Sequence, residues 1–289
     1  MRDTTSGRDS AAPGPRAATS LRTAARCCIE ETDLDRKVSR TGAFALAWRR
    51  GELPLHDDDE EEIRDVVPGL PAGLALVSPT EVKRRGFGSR AGLAAFVHAI
   101  AHIEWNAINL AWDHAWRFRG MPREYVDDWV DVAEEEARHF AMLRRRLVEL
   151  GSDYGRLPAH DGLWQTAHAT RGDALDRMAL VPRVLEARGL DVTPGLIARL
   201  RAHGDEATAS ILDVVLADEI GHVRIGSRWF HWLCRERGLD PATAFEDAIA
   251  RHFRGRSRPV VDPRLRAQRV EAGFLDEELE ALERLSRRP

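Results

Sequence analysis

Two short motifs in the chain place a histidine three residues after a glutamate, and a second acid directly precedes each glutamate. They are Glu135-Glu136-Ala-Arg-His139 and Asp218-Glu219-Ile-Gly-His222. Residues three apart share one face of an α-helix, so each motif can aim a carboxylate and an imidazole at one point. Carboxylates and imidazoles are ligands of transition metals. The motifs therefore predict metal binding if both lie on helices.

A further glutamate precedes each motif at almost the same distance. Glu104 lies 32 residues before Glu136, and Glu186 lies 33 residues before Glu219. Two antiparallel helices joined by a turn fold back over about this length. The chain therefore has two similar halves, each with Glu on one helix and Glu-x-x-His on the next, as in di-metal carboxylate bundles. One such motif is weak evidence, whereas two with matched partner glutamates are specific.

The six predicted ligands contain no thiolate, which favours iron or manganese over a structural zinc site. Four carboxylates would balance the charge of two divalent ions, whereas carboxylates buried without a cation would be costly. The prediction is two iron ions, with a manganese–iron pair as the alternative, and no catalytic residue is assigned beyond the ligands. The predicted ligands are Glu104, Glu136, His139, Glu186, Glu219 and His222.

Three further residues are expected to lie next to these ligands without binding metal themselves. Glu135 and Asp218 each precede a ligand glutamate, so each lies about 100° around the helix from it. From there they are better placed to accept the second N–H of a histidine ligand on a neighbouring helix than to bind metal themselves. The alternative is a solvated acid. His102 is expected to be either a supporting residue or a histidine satisfied within the core.

Apolar residues recur at helical spacing in the segments that carry these residues, and no segment shows a strand pattern. The predicted helices cover residues 89–118, 122–150, 163–187 and 205–237, with a short helix after Thr193-Pro194. Gly172 is expected to interrupt the third helix, and Pro182 to kink it beside Glu186.

The predicted fold class is all-α: a ferritin-like four-helix bundle with additional N-terminal and C-terminal helices. Residues 1–18 are expected to be a disordered tail, and residues 19–88 to form N-terminal helices and an extended linker. The bundle covers residues 89–238, and a helical extension covers 239–289. The acidic run at 57–62 is expected to be solvated rather than a cation site.

Net charge, cysteine count and the length of apolar runs exclude several classes of protein. The formal net charge of −4 argues against a general nucleic-acid coat. Three cysteines do not suggest a disulfide framework. No apolar run is long enough to cross a membrane, and the N-terminus lacks an apolar signal region. These features predict a cytoplasmic protein without membrane contact.

Five stretches together resemble the bacterial ferritin-like family called domain of unknown function 455. The resemblance covers about residues 40–250 and implies a di-iron bundle in which all six ligand positions match. It also implies that the acid before each Glu-x-x-His hydrogen-bonds a ligand histidine, and it implies no substrate. The stretches are His98-Ala-Ile-Ala-His102-Ile-Glu104, Glu135-Glu136-Ala-Arg-His139-Phe140, Pro158-Ala-His160-Asp161-Gly162-Leu-Trp164, Val181-Pro-Arg-Val-Leu-Glu186-Ala-Arg-Gly-Leu-Asp191-Val-Thr-Pro194 and Asp218-Glu219-Ile-Gly-His222-Val.

The leading functional hypothesis is a non-haem di-iron oxidoreductase that uses dioxygen to oxidise or hydroxylate a small or nucleotide-linked substrate. An external reductase would supply electrons, since the chain has no flavin or nicotinamide fingerprint. A modified tRNA base is one candidate substrate, because the fold resembles that of tRNA hydroxylases. The basic stretch Arg251–Arg258, continued by Arg264, Arg266 and Arg269, would then contact phosphates, whereas a solvated tail is the alternative.

Two rival functions remain open. A ferroxidase or iron-storage protein would oxidise and hold iron without an organic substrate, and it would form a large hollow oligomer. An enzyme is expected to be a monomer or dimer. A bundle with purely structural metals would hold ions that do not react with dioxygen.

Overall fold

The computed structural model describes residues 18–55, 65–82, 86–252 and 266–287. Within these ranges the only pairing of extended backbone is an isolated bridge between Leu76 and Ala159, so the predicted all-α class is confirmed. A π-helical segment, Val181–Glu186, joins α6 to α7. The α-helices are α1 (Leu21–Glu30), α2 (Leu34–Arg49), α3 (Arg90–Arg117), α4 (Arg123–Glu149), α5 (Gly162–Ala169), α6 (Ala174–Leu180), α7 (Ala187–Ala202), α8 (Glu206–Glu236), α9 (Pro241–His252), α10 (Arg266–Glu271) and α11 (Asp276–Arg287).

The long helices begin and end close to where the sequence predicts. The Ser89 hydroxyl accepts from the Gly92 amide at 3.1 Å and caps α3. The Asp205 carboxylate accepts from the Thr208 amide at 3.1 Å and caps α8. Gly151 follows α4 with φ 79°, a left-handed conformation that glycine adopts without a steric cost. These caps depend on neighbouring residues alone, which is why the sequence reveals them.

Four helical rods form an antiparallel bundle: α3, α4, α8, and α6–α7 with the π-helical segment. Arg90 at the start of α3 donates to the carbonyl groups of Glu149 and Leu150 at the end of α4, at 2.6 and 2.9 Å. Arg146 near the end of α4 pairs with Asp205 before α8 at 2.9 Å. Start-to-end contacts of this kind show that neighbouring rods run in opposite directions.

The fourth rod agrees with the prediction at Gly172 and differs from it at two prolines. Gly172 interrupts the helix as expected, since α5 ends at Ala169 and α6 begins at Ala174. At Pro182 the chain forms π-helix, which accommodates a residue that has no amide to donate. The prediction of a separate helix after Thr193-Pro194 is wrong, because α7 continues through Pro194. Packing of the buried face of α7 against α8 outweighs the hydrogen bond that this proline cannot form.

Gly226 of α8 allows the π-helical segment to approach closely. A Cβ atom added at Gly226 would lie 2.4 Å from Pro182 Cβ, far inside van der Waals contact. We expect Gly226→Ala to lower the free energy of unfolding by about 1–3 kcal/mol, the usual cost of overpacking. Gly221→Ala is the matched control, since a Cβ at Gly221 meets nothing within 4 Å. Chemical denaturation measures both, and equal stability of the two variants would contradict this packing.

The N-terminal helices α1 and α2 pack on the outside of the bundle. Lys37 of α2 is buried, and its ammonium group donates to Asn109 Oδ1 of α3 at 2.5 Å. The same ammonium lies 4.2 Å from the ring centroid of Trp105. Trp48 of α2 donates its indole N–H to Asp127 of α4 at 2.7 Å. The two helices therefore cover α3 and α4.

The C-terminal extension packs back on the bundle. Three arginines of the predicted basic stretch each pair with an acid, which weakens the case for phosphate binding there. The rest of that stretch, like residues 1–17 and the acidic run at 57–62, lies outside the described residues. Among the described helices, none combines the length and apolar character that a membrane crossing requires. The pairs are Arg251–Asp176, Arg266–Asp276 and Arg269–Asp191.

Candidate metal centre

The bundle core contains the acids and histidines singled out in the sequence. Glu104 comes from α3, while α4 and α8 each supply one Glu-x-x-His motif. Glu186 is the last residue of the π-helical segment. The side chains of Glu104, Glu136 and His139 are almost completely buried. Four separate rods thus bring charged or polar groups together in the core of the bundle.

Glu136 lies between the two histidines. His139 Nδ1 is 3.2 Å from Glu136 Oε2 and 3.5 Å from Glu104 Oε2. On the other side, His222 Nδ1 is 3.0 Å from Glu136 Oε1 and 3.7 Å from Glu219 Oε2. Each group of three residues brings one ligand atom per residue within 4.8 Å of the others. The geometry is that of two adjoining groups of residues, each of which could hold a metal ion, that share the Glu136 carboxylate.

Glu186 belongs to neither group of three but lies close to the second. Burial raises the pKa of its carboxyl group well above the usual value, and the nearby charges of Glu219 and Glu136 raise it further. Its Oε2 atom is buried and has no hydrogen-bond partner. The structure therefore brings five of the six predicted ligands into two groups and places the sixth beside them.

Several buried atoms of the cluster lack a hydrogen-bond partner within the described protein. Leaving such an atom unsatisfied costs about 1–3 kcal/mol, and more if it is charged. A bound cation would satisfy all of them at once, so the donor set fits metal ions of the kind that oxygen and imidazole ligands prefer. These atoms are Glu104 Oε2, Glu186 Oε2, Glu219 Oε2 and His222 Nδ1.

The electrostatics of the cluster favour protons or other positive charge beside its buried carboxylates. Burial, followed by the charge of Glu136, raises the pKa of Glu104 well above its usual range. Burial also acts to raise the pKa of Glu136, but the charge of His222 and the hydrogen bond from His139 outweigh it and hold that pKa low. Burial acts to lower the pKa of His139, yet the neighbouring carboxylates of Glu104 and Glu136 raise it to about 11. Metal ions would take the place of these protons.

The acid before each Glu-x-x-His contacts a histidine from the other motif. His139 Nε2 lies 2.9 Å from Asp218 Oδ2, and His222 Nε2 lies 2.7 Å from Glu135 Oε2. When Nε2–H donates to a carboxylate, the Nδ1 lone pair points towards the cluster. Sequence reasoning missed Arg138, which donates to Asp218 at 2.6 Å. The one feature of the sequence that could have pointed to Arg138 is its position between the glutamate and the histidine of the first motif.

His102 does not join the cluster. Its Nδ1 lies 2.8 Å from the Tyr154 hydroxyl, and its Nε2 lies 3.0 Å from the His160 carbonyl oxygen. Both ring nitrogens therefore have partners in the loop between α4 and α5. Of the two interpretations offered by the sequence, the structure favours a histidine satisfied within the core.

Comparison with known proteins places the chain in a family. The family model described as "Protein of unknown function (DUF455)" matches residues 30–280, a wider span than the resemblance in the sequence motifs. An uncharacterized protein of Haemophilus influenzae is 43% identical over 235 residues, which cover 79% of this chain and 81% of that protein. No solved structure matches the chain. The chain thus belongs to the DUF455 family.

Proposed function

We propose that the protein is a ferritin-like non-haem di-iron oxidoreductase that acts with dioxygen on an organic substrate. The observation that carries this proposal is the Glu136 carboxylate, which two buried Glu/His groups share. Glu104, Glu136 and His139 would hold one ion. Glu136, Glu219 and His222 would hold the other, with Glu186 as a further carboxylate for it. The four carboxylates would neutralise two divalent ions.

Bound iron would supply the electrons that reduce dioxygen and the oxidising power that acts on the substrate. The residues hold this chemistry away from water, because Ala101, Ile108 and Ala133 nearby on the same helices are buried. Asp218 and Glu135, which accept hydrogen bonds from the histidines, are 27% and 44% exposed, so they lie where the cluster meets solvent. Electrons would come from a separate reductase in the cytoplasm.

Removal of a supporting acid is expected to weaken metal binding without abolishing it. In Glu135→Ala, His222 loses the acceptor that orients its ring, so the affinity for iron should fall about 10- to 100-fold. Glu134→Ala is the matched control, because Glu134 pairs on the surface with Arg49 instead. Equilibrium dialysis against Fe(II) under nitrogen compares the two. Equal affinities of the two variants for iron would show that Glu135 does not contribute to metal binding.

Iron uptake in the presence of dioxygen tests the proposed function. The Fe(II)-loaded protein should oxidise its iron rapidly, with a rise in near-ultraviolet absorption, and uptake should stop once the two sites of each chain are filled. A storage protein would continue to take up iron and would elute as a large hollow assembly, which would contradict the proposal. Bound metal that does not react with dioxygen would indicate a structural role.

A further inference from the structure

A row of aromatic residues begins in the bundle core close to the candidate metal centre. Trp129 of α4 lies seven residues before Glu136, and Trp229 of α8 lies seven residues after His222. Seven residues make about two helical turns, so each tryptophan shares a helix face with a predicted ligand and lies roughly 10 Å further along the bundle. Both tryptophans are buried. Because α4 and α8 run in opposite directions, both tryptophans lie towards the same end of the bundle.

Ring contacts connect these tryptophans to the surface of the protein. The centroid of the Tyr125 ring lies 6.2 Å from that of Trp129 and 5.3 Å from that of Trp229. The Trp229 ring in turn lies 5.7 Å from the ring of Trp232, which is only partly buried. Rings at these separations are in direct contact. We call Trp129, Tyr125, Trp229 and Trp232 the aromatic chain.

The two inner members of the aromatic chain have nowhere to release a proton. The Tyr125 hydroxyl and the Trp129 Nε1 atom are buried, and neither has a hydrogen-bond partner within the described protein. Loss of one electron makes a phenol O–H or an indole N–H strongly acidic, so the resulting radical is stable only where a base takes the proton. Without a base, a positive charge would remain in the core at high cost. Tyr125 and Trp129 can therefore pass an oxidising equivalent on but do not retain it.

Trp229 differs from these two residues because its indole N–H has an acceptor. It donates to Asp128 Oδ2 at 2.6 Å, and the Asp128 carboxylate is partly exposed and also pairs with Arg228. The guanidinium group of Arg228 lies 4.8 Å from the centroid of the Trp229 ring. That positive charge disfavours a second one on the ring. Loss of an electron from Trp229 is therefore expected to occur together with transfer of its N–H proton to Asp128.

We propose that the aromatic chain carries single oxidising equivalents away from the metal centre and that they come to rest on Trp229. This inference rests on the proposed function, because the oxidant is the centre after its reaction with dioxygen. Trp229 loses one electron to the centre through Tyr125 and Trp129, and its N–H proton moves to Asp128, which leaves a neutral tryptophan radical. A small one-electron reductant such as ascorbate then supplies an electron through Trp232, and Asp128 returns the proton.

Flash photolysis of the protein as purified, with photogenerated tris(bipyridine)ruthenium(III) as the oxidant, tests the aromatic chain without added iron. Wild type should form a neutral tryptophan radical, identified by its transient visible absorption, and Trp229→Phe should lose most of it. Trp164→Phe is the matched control, since Trp164 of α5 is also partly buried but lies outside the aromatic chain. A tyrosyl radical in wild type, or equal radical yields from the two variants, would overturn the proposal.

The proton acceptor is tested in the same experiment with a variant that leaves every ring in place. In Asp128→Asn, the amide can still accept a hydrogen bond from Trp229 but cannot take up its proton. The transient spectrum should therefore change from that of the neutral radical to that of the protonated radical. Asp131→Asn is the matched control, because Asp131 is an exposed acid of α4 that pairs with Arg49. An unchanged spectrum in Asp128→Asn would overturn the role of Asp128.

Electron paramagnetic resonance of Fe(II)-loaded protein, frozen soon after it is mixed with dioxygen in the absence of substrate, tests the link to the metal centre. Wild type should show an organic radical whose signal narrows when the tryptophan rings are deuterated, and Trp229→Phe should lack it. Iron that oxidises without any such radical in wild type would refute the aromatic chain alone. Iron that stays reduced in dioxygen would refute the proposed function, and the chain with it, because no oxidant would form.

Discussion

Glu136→Gln is expected to abolish binding of both metal ions, whereas Glu104→Gln and Glu219→Gln should each remove one. The reason is geometric, because the Glu136 oxygens face His139 on one side and His222 on the other. Each of the other two carboxylates belongs to a single group of three residues. Metal analysis of each variant, after anaerobic loading with Fe(II) and dialysis, gives the number of ions per chain.

Glutamine keeps the shape of glutamate, so these variants should remain folded, and circular dichroism verifies that they do. Glu134→Gln controls for the loss of a carboxylate on the same helix, since its side chain is exposed and pairs with Arg49. The number of bound ions per chain should be two in Glu134→Gln, one in Glu104→Gln and Glu219→Gln, and none in Glu136→Gln. A Glu136→Gln protein that still holds two ions would contradict the shared carboxylate.

Glu278→Gln is expected to lower the free energy of unfolding by about 3–5 kcal/mol, the usual cost of removing one partner from a buried ion pair. Glu278 of α11 accepts from Arg183 of the π-helical segment at 2.6 Å, and both side chains are fully buried. The Arg183 guanidinium lies 4.3 Å from the centroid of the Phe274 ring and 4.4 Å from that of Phe230. Without the carboxylate, this cation remains buried among aromatic rings.

The effect of Glu278→Gln should depend on pH with a definite sign. Burial acts to raise the pKa of Glu278, but the hydrogen bond from His231 and the charge of Arg183 outweigh it and lower that pKa. A carboxyl group with a lowered pKa stabilises the fold above its unfolded value of about 4.5, and this contribution is lost as pH falls through the folded value. The stability difference from wild type should therefore be full at pH 7 and shrink below about pH 4.5.

Urea denaturation at several pH values measures this difference. Glu277→Gln is the matched control, because Glu277 is exposed beside Glu278. A Glu278→Gln protein as stable as the Glu277→Gln protein would show that the buried pair contributes nothing. Because Arg183 lies three residues before Glu186, this pair also connects the C-terminal helix to the rod that carries a predicted ligand.

Most of the bundle could be predicted because its signals are local. Ser89 and Asp205 cap helices through residues three positions away. The two Glu-x-x-His motifs need only helical geometry to aim their side chains at one point. The hydrogen bonds of Glu135 and Asp218 also follow from position, since the residue before a ligand faces the neighbouring helix. The ligand roles themselves stay predictions until metal is measured.

The features that the sequence did not reveal depend on contacts between distant segments. Arg183 and Glu278 are separated by 95 residues, and the sequence around each of them does not indicate that the two form a pair. Pro194 has the sequence signal of a helix boundary, but packing of α7 on α8 overrides it. The partners of His102 come from a loop more than 50 residues away. Such contacts become visible only once the rods are assembled.

Anomalous X-ray diffraction at the iron absorption edge, from crystals of Fe(II)-loaded protein, tests the central claim most directly. The account predicts two anomalous peaks, one among Glu104, Glu136 and His139 and the other among Glu136, Glu219 and His222. A single peak, peaks elsewhere in the molecule, or no peak from protein that was loaded and dialysed would contradict it.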